Sequence, residues 1–151
     1  NPGISGMELD NVRFVKLFQD GKAIHAMLEQ DDVKNVAVVG AGYIGVEIAE
    51  AVERRGKKAL LFDTADTCLA GYYDSWFTDD MNSNLEEHGI ELHYNETLTS
   101  INGEDKVSSI TTDKGEYDVD MVILAIGFKP NNSLGADHLD LFENGAFLVD
   151  L

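Results

Sequence analysis

Three glycines in the run Gly40-Ala41-Gly42-Tyr43-Ile44-Gly45 are the residues whose spacing most clearly suggests chemistry. A glycine pattern of this kind is weak evidence alone, because glycine-rich turns are common. Here the run follows an apolar segment and opens an amphipathic one, which is the context of a phosphate-binding loop. Gly40 would permit the tight turn, Gly42 the close approach of a diphosphate to the backbone, and Gly45 the contact between helix and strand. The anion would lie on the N–H groups at the start of that helix.

An acidic residue supplies the second half of the pattern. Asp63 ends the next apolar segment, near the spacing of about 20 residues at which a carboxylate accepts hydrogen bonds from the adenosine ribose. The same carboxylate would repel a 2′-phosphate, and residues 64–67 contain no Arg or Lys to neutralise one. Together these features predict binding of NAD(H) in preference to NADP(H). The alternative is that the loop is only a tight turn and that Asp63 only ends a strand.

Hydrophobic periodicity predicts the elements that would position the loop and Asp63. Segment 35–39 is apolar and β-branched, which is typical of a strand buried on both faces of a parallel sheet. Apolar residues then recur at helical spacing from Ile44 to Val52, and segment 59–62 has the pattern of a second buried strand. This βαβ unit predicts an α/β fold, namely a Rossmann-like three-layer domain with a central parallel sheet.

The remaining elements are predicted by the same rules. A short helix is expected from an N-cap at Asp20 to the acidic pair Asp31-Asp32, and Gly89 is expected to end a second crossover helix. Turn residues at Asn102-Gly103 and at 113–115 separate short β segments, which predicts a small antiparallel β meander. The expected bounds are 74–88 for the second crossover helix, 98–117 for the meander, and 90–94 and 121–126 for two further strands.

Length and composition limit the domain organisation. A chain of 151 residues can bury one sizeable core but is short for two ordinary domains. Residues 1–12 mix Pro, Gly and polar residues without periodicity, so we expect them to be a linker. Residues 13–151 would then form the single domain.

Composition also argues against several classes of partner. The 28 acidic and 11 basic residues give a net charge of −17, which would repel nucleic acid and anionic lipid. The apolar runs are far shorter than the roughly 20 residues that cross a bilayer, and no secretory signal pattern is present. The single cysteine, Cys68, excludes an internal disulfide and fits a reducing cytoplasm, and the four histidines lack zinc-ligand spacing. We therefore expect a cytoplasmic location and no nucleic acid, membrane or metal partner.

Several stretches together resemble one known family. They are residues 36–51, Tyr72-Tyr73-Asp74 with 77–79, residues 120–131, and Asn144-Gly145-Ala146 before Val149-Asp150. This combination resembles the NAD domain of bacterial NADH peroxidases, NADH oxidases and coenzyme A-disulfide reductases. These enzymes are FAD-dependent members of the pyridine nucleotide-disulfide oxidoreductase family. The likeness extends over essentially the whole chain.

The resemblance implies roles for individual residues beyond the glycine loop and Asp63. Ile44 would touch the dinucleotide, and Tyr72 would lie on its adenine side. Gly127 and the adjacent Phe128 would lie beside the nicotinamide half, Glu47 would face the nicotinamide ribose or carboxamide, and Tyr43 would lie over the place where nicotinamide stacks on flavin. The alternatives are a surface aromatic for Tyr43, a carboxylate that favours the helix dipole for Glu47, and a core or interface aromatic for Tyr72.

The resemblance also implies that the chain is one part of a larger enzyme. The family's FAD-binding segment, redox-active cysteine and dimerisation domain have no counterpart in these residues, and Cys68 reads as a loop thiol. We expect a homo-oligomeric parent that passes hydride from NADH to FAD and then to oxygen, peroxide or a disulfide. Alternatives are a coenzyme A-disulfide reductase or another flavoprotein reductase, a free-standing NAD-dependent dehydrogenase, and a non-catalytic nucleotide sensor. The isolated chain is expected to bind cofactor without turnover.

Overall fold

A five-stranded parallel sheet, in the order β1-β8-β2-β3-β4, forms the centre of the computed structural model, which describes residues 3–127 and 129–149. A three-stranded antiparallel sheet, β5-β6-β7, lies beside it. The strands are β1 (Val12–Phe14), β2 (Asn35–Val39), β3 (Lys58–Phe62), β4 (Glu91–His93), β5 (Leu98–Gly103), β6 (Val107–Thr112), β7 (Glu116–Asp118) and β8 (Met121–Leu124). The helices are α1 (Phe18–Leu28), α2 (Tyr43–Glu53) and α3 (Ser75–Glu87). The expected α/β class, parallel sheet and meander are confirmed.

Successive side chains of the buried strands pack on opposite faces of the sheet, which gives the domain three layers. Val36 and Val38 of β2 pack with the three helices, whereas Ala37 and Val39 pack with the meander. Successive side chains of a strand point to opposite faces, so a sheet covered on both sides needs apolar residues at every position. This is why β2 reads as a continuous apolar run rather than an alternating one.

The start of α1 differs from the prediction that Asp20 is the N-cap. The helix begins at Phe18 with Leu17 as the N-cap residue, and Asp20 lies within the first turn. One Asp20 carboxylate oxygen accepts hydrogen bonds from the backbone N–H groups of Lys16 and Leu17, at 3.0 and 2.7 Å. An acidic side chain in the first turn can therefore reach back to the chain that enters the helix.

Two smaller differences concern the ends of strands. Asn102-Gly103, expected as a turn, ends β5, and residues 104–106 make the connection to β6. The Asn102 amide donates hydrogen bonds to Ser109 and Thr111 of β6, so it holds two strands together instead of turning the chain. The strand predicted to reach residue 126 ends at Leu124.

The N-terminal segment packs against the domain. Ile4, Met7 and Leu9 contact the meander side of the core, and Asn11 donates a 3.0 Å hydrogen bond to the carbonyl of Asp120. β1 begins at Val12, so a boundary between residues 12 and 13 falls inside a strand. The expectation that this segment leads in from another domain stays a prediction.

Parallel pairing brings the predicted site residues to one edge of the sheet. Val39 is paired with Phe62 of β3 on one side and with Leu124 of β8 on the other. The carboxyl ends of β2, β3 and β8 therefore lie next to one another, as do the loops that leave them. Ligands of open α/β sheets bind at this edge.

Candidate functional site

The backbone of the glycine loop passes very close to its neighbours. Gly40 has φ +102° and donates its N–H to the carbonyl of Phe62 at 2.7 Å. A Cβ on Gly40 would lie 2.5 Å from the carbonyl oxygen of Ala125, and a Cβ on Gly45 would overlap the carbonyl oxygen of Gly40. The fold itself therefore requires glycine at position 40, and an alanine at position 45 would require the start of α2 to shift.

Gly42 is different, because neither its backbone conformation nor its neighbours among the described residues require a glycine there. Its φ of −75° suits any residue, and a Cβ there would meet no atom of residues 3–127 or 129–149 within 4 Å. Gly42 is the N-cap residue of α2, and no side chain caps the helix. The first N–H groups of an uncapped helix have no partner within the helix and attract anions. The open space beside Gly42 therefore fits a group that approaches the backbone closely, such as a diphosphate.

The Asp63 carboxylate faces the glycine loop from the next strand. One of its oxygens accepts a 2.5 Å hydrogen bond from the N–H of Ala41, and the other accepts a 2.8 Å bond from the N–H of Ala65. Each carboxylate oxygen can accept a further hydrogen bond, so two hydroxyl groups can still bind. The Asp63 backbone is held as well, because its N–H donates to the carbonyl of His93 and its carbonyl accepts from the N–H of Glu96.

A cleft of about 400 Å³ lies between these elements. Most of the residues predicted to bind cofactor line it, namely Gly40, Gly42, Tyr43, Ile44, Asp63, Tyr72 and Gly127. Apolar side chains such as Leu98 and Ile126 make up much of the remaining wall. A largely apolar cleft with a few polar groups at one end suits a planar ligand with a charged centre.

Three other predicted residues lie outside the cleft. Ala41 is buried, and its carbonyl accepts a 2.8 Å hydrogen bond from the N–H of Leu69, while Gly45 is buried under the loop. Glu47 lines a neighbouring cavity of about 560 Å³ between α2 and α3. Tyr43 lines both the cleft and that cavity, so it separates Glu47 from the cleft. Phe128 lies outside the described residues.

Tyrosines cover one end of the cleft. The ring of Tyr43 contacts that of Tyr72 edge to face, with centroids 4.6 Å apart, and the Tyr43 hydroxyl donates to that of Tyr73 at 3.3 Å. This hydrogen bond raises the pKa of Tyr43 above its ordinary value, because loss of the phenol proton would break the bond. Tyr43 and Tyr72 are each about half exposed, which leaves their rings free to contact a ligand.

One wall residue, Glu96, was not predicted from the sequence. It is buried, its carboxylate accepts a 2.6 Å hydrogen bond from the Thr112 hydroxyl, and it lies 3.4 Å from Nδ1 of His93. Burial, with a smaller contribution from the Glu96 carboxylate, raises the pKa of Tyr117 to about 12. The available clue was positional, since Glu96 is an acidic residue in the segment after β4, three residues beyond the end of that strand.

Cys68 lies in the loop between β3 and α3, and its thiol is buried. It lies in the core on the helix side of the sheet, and burial raises its pKa above the ordinary value. The thiolate is the reactive form of cysteine, so this environment disfavours reaction. Among residues 3–127 and 129–149 no group of three potential ligands could hold a metal ion. No helix in the same ranges has the length and apolar character that crossing a bilayer requires.

A known protein family matches the whole sequence. Residues 1–151 match the family described as pyridine nucleotide-disulphide oxidoreductase. The chain belongs to this family. A similar curated member is the NADH oxidase of Streptococcus pyogenes, which is 60% identical over 142 residues covering 94% of this chain and 31% of that protein.

Solved members of the pyridine nucleotide-disulphide oxidoreductase family share the fold. A water-forming NADH oxidase from Lactobacillus brevis, solved with NADH, superposes with a TM-score of 0.88 at 35% identity, covering 97% of this chain and 32% of that one. An engineered five-substitution mutant of the same enzyme, a water-forming NADPH oxidase bound to NADPH, has a TM-score of 0.89 at 33% identity. It covers 99% of this chain and 33% of that one. The chain thus spans about a third of the length of these relatives.

Proposed function

We propose that this chain is the NAD(H)-binding domain of an FAD-dependent NADH oxidase. The observation that carries the proposal is the Asp63 carboxylate bonded to the N–H of Ala41 at the mouth of a cleft that Gly42 leaves open. A nicotinamide dinucleotide needs this combination of a diphosphate cradle and a ribose acceptor. The similarity to NADH oxidases over most of the chain supports the same choice.

Each part of the dinucleotide has residues that would hold it. The N–H groups at the start of α2 would bind the diphosphate, with Ala41 and Ile44 beside it, and Asp63 would accept hydrogen bonds from the adenosine ribose. Tyr72 would cover the adenine side. Gly127 and Phe128 would lie along the nicotinamide half. When bound, NADH supplies a hydride that FAD, in the parent enzyme, accepts.

Tyr43 and Glu47 would act at the nicotinamide end. Tyr43 lines both the cleft and the cavity that contains Glu47. A nicotinamide that reaches the Glu47 carboxylate must therefore pass the Tyr43 ring, whose orientation would control the connection. The protein's contribution to hydride transfer is this positioning of the reactive ring.

A preference for NADH over NADPH is supported by the engineered relative. That enzyme replaces a glycine and an aspartate by alanine, with the same spacing as Gly45 and Asp63 here. It also gains arginines at positions that correspond, by the same spacing, to Thr64 and Ala70. This chain retains the glycine and the carboxylate and has no basic residue at the two arginine positions. A 2′-phosphate beside Asp63 would meet a like charge without a compensating cation.

The parent polypeptide would supply what these 151 residues do not contain. Under this proposal, an FAD-binding part and a dimerisation part of the same polypeptide complete a homo-oligomeric enzyme in the cytoplasm. The flavin would then reduce oxygen, as the names of the NADH oxidase relatives indicate for those proteins. The residues that would choose between oxygen, peroxide and a disulfide lie outside this chain.

Calorimetric titration of the purified chain with NADH and with NADPH tests the proposal. Asp63→Ala should weaken NADH binding by about tenfold, because the ribose hydroxyls lose a charged acceptor worth roughly 1.5 kcal/mol or more. The matched control is Asp66→Ala, which removes an exposed carboxylate of the same loop that does not line the cleft. Equal loss in both variants, or no NADH binding by a folded wild-type chain, would contradict the assignment.

A further inference from the structure

Within residues 3–127, the large exposed apolar side chains are concentrated at one end of the molecule, and six more lie in the C-terminal segment 129–149. Among residues 3–127, every large apolar side chain that is exposed either ends or follows β1, β2, β3 or β8. All four strands are parallel, so these side chains lie at the same edge of the sheet as the cleft. The opposite end, where α1, α2 and α3 finish, carries charged residues instead. A concentrated exposed apolar surface of this kind indicates a surface that another part of a protein covers.

The most compact part of this surface lies at the start of α3. Tyr73, Trp76 and Phe77, here called the aromatic face, are 50%, 64% and 47% exposed. The rings of Trp76 and Phe77 stack with centroids 3.5 Å apart, and Tyr73 lies 6.1 Å from Phe77. Neither a helix start nor a turn needs three large aromatic rings in water. Trp and Tyr in such clusters are the residues that anchor interfaces.

Acidic residues surround the aromatic face. Asp74, Asp79 and Asp80 are exposed, as is Glu47 on the neighbouring helix. None of these four carboxylates forms an ion pair with a lysine, arginine or histidine in the described parts of the chain. A surface that covers the aromatic face and carries basic side chains would therefore find both apolar contacts and opposite charges.

Charge argues against a second copy of this chain as that surface. Two aromatic faces brought together would juxtapose their own carboxylates, in a chain whose net charge is −17. The parent polypeptide offers a different source, because relatives are about three times as long as this chain. We propose that the aromatic face binds a basic segment of the parent polypeptide that lies outside these 151 residues. This inference rests on the proposed function, which makes the chain one part of a longer flavoprotein.

The aromatic face lies next to the nicotinamide end of the proposed site, so a segment bound there would affect that end. Tyr73 and Phe77 line the same cavity as Tyr43 and Glu47, and Tyr73 accepts the hydrogen bond of the Tyr43 hydroxyl. A segment seated on the aromatic face therefore closes the outer side of that cavity. Closure would exclude water beside the nicotinamide end and hold Tyr43 in place. Docking and hydride delivery would then be coupled.

Zero-length carbodiimide cross-linking of the parent polypeptide tests the contact directly. The expected products join Asp74, Asp79 or Asp80 to lysines outside residues 1–151. Asp31, Glu86 and Glu87, exposed carboxylates at the opposite end, are the matched control and should give no such products. Hydrogen exchange should also show residues 72–80 more protected in the parent than in the 151-residue chain. Links to a second copy only, or equal exchange in both proteins, would overturn the proposal.

Charge reversal separates this inference from the proposed function. In the parent, Asp74→Lys with Asp79→Lys should slow flavin reduction by NADH by about tenfold, since repulsion replaces attraction at the contact. The control pair, Glu86→Lys with Glu87→Lys, should leave that rate unchanged. NADH affinity of the 151-residue chain should be the same in both pairs and in wild type. Equal rates of flavin reduction in the two double variants would contradict the docking contact alone. Absence of NADH binding would contradict the proposed function.

Discussion

The side chain of Asp63 and the backbone of Ala41 are joined by a 2.5 Å hydrogen bond across the carboxyl edge of the sheet. This bond ties the acid that follows β3 to the loop that follows β2. It places a negative charge at the rim of the cleft while the start of α2 supplies positive N–H groups within it. Discrimination between the ribose hydroxyl of NADH and the 2′-phosphate of NADPH would depend on this pair of opposite charges.

Two glycines of the same loop should respond differently to alanine. Gly40→Ala should lower the free energy of unfolding by about 2–4 kcal/mol, because of its positive φ and the contact with the Ala125 carbonyl. Gly42→Ala should remain within about 1 kcal/mol of wild type, the range of an N-cap effect. Its NADH affinity should nevertheless fall by about tenfold, since the methyl group occupies the open space. Urea denaturation measures the free energy of unfolding, and calorimetry measures the NADH affinity. An NADH affinity in Gly42→Ala equal to that of wild type would contradict the proposed diphosphate site at Gly42.

A change of cofactor preference should follow from three substitutions. Asp63→Ala, Thr64→Arg and Ala70→Arg together remove the repelling carboxylate and add two cations on exposed loop positions. NADPH should then bind more tightly than NADH, with each arginine contributing about 1–2 kcal/mol to the 2′-phosphate. The arginines alone, with Asp63 retained, provide the control and should favour NADPH less. An unchanged preference for NADH in the triple variant, measured by calorimetry, would count against the assigned ribose site.

The ion pair between Lys58 and Glu91 should give a pH-dependent stability difference. The hydrogen bond from Lys58, 2.6 Å away, lowers the pKa of Glu91 below its ordinary value of 4.5. A lowered folded-state pKa adds stability above pH 4.5 that is lost as the pH falls through the folded-state value. Lys58→Met should therefore be less stable than wild type at neutral pH. The gap in Tm should close in acid, and a gap independent of pH would exclude the ion pair as its cause.

Cys68 should be unreactive in the folded chain. Its side chain is buried and its pKa is raised, so both access and thiolate formation are disfavoured. Labelling by a disulfide reagent at neutral pH should be about a hundredfold slower than in denaturant, because it requires local opening. Labelling at the unfolded rate in a folded sample would place the thiol on the surface.

The sequence was most informative for the β2-α2-β3 unit. β2 was predicted at its observed bounds, and α2 and β3 each begin within one residue of prediction, because buried apolar runs and helical spacing are local signals. Other features depend on partners far along the chain. The packing of Ile4 and Met7 depends on the meander, and the burial of Glu96 depends on the Thr112 hydroxyl. Neither partnership leaves a pattern in the adjacent sequence.

Under the proposed function, backbone N–H groups of the glycine loop hold a diphosphate beside Asp63. The most direct measurement is a titration of the ¹⁵N-labelled 151-residue chain with NADH, followed by amide chemical shifts. The largest shifts are expected at Ala41 to Gly45 and at Ala65, with small shifts in β6 and β7 of the meander. Saturable NADH binding that leaves the amides of Ala41 to Gly45 unmoved would contradict the proposed diphosphate site.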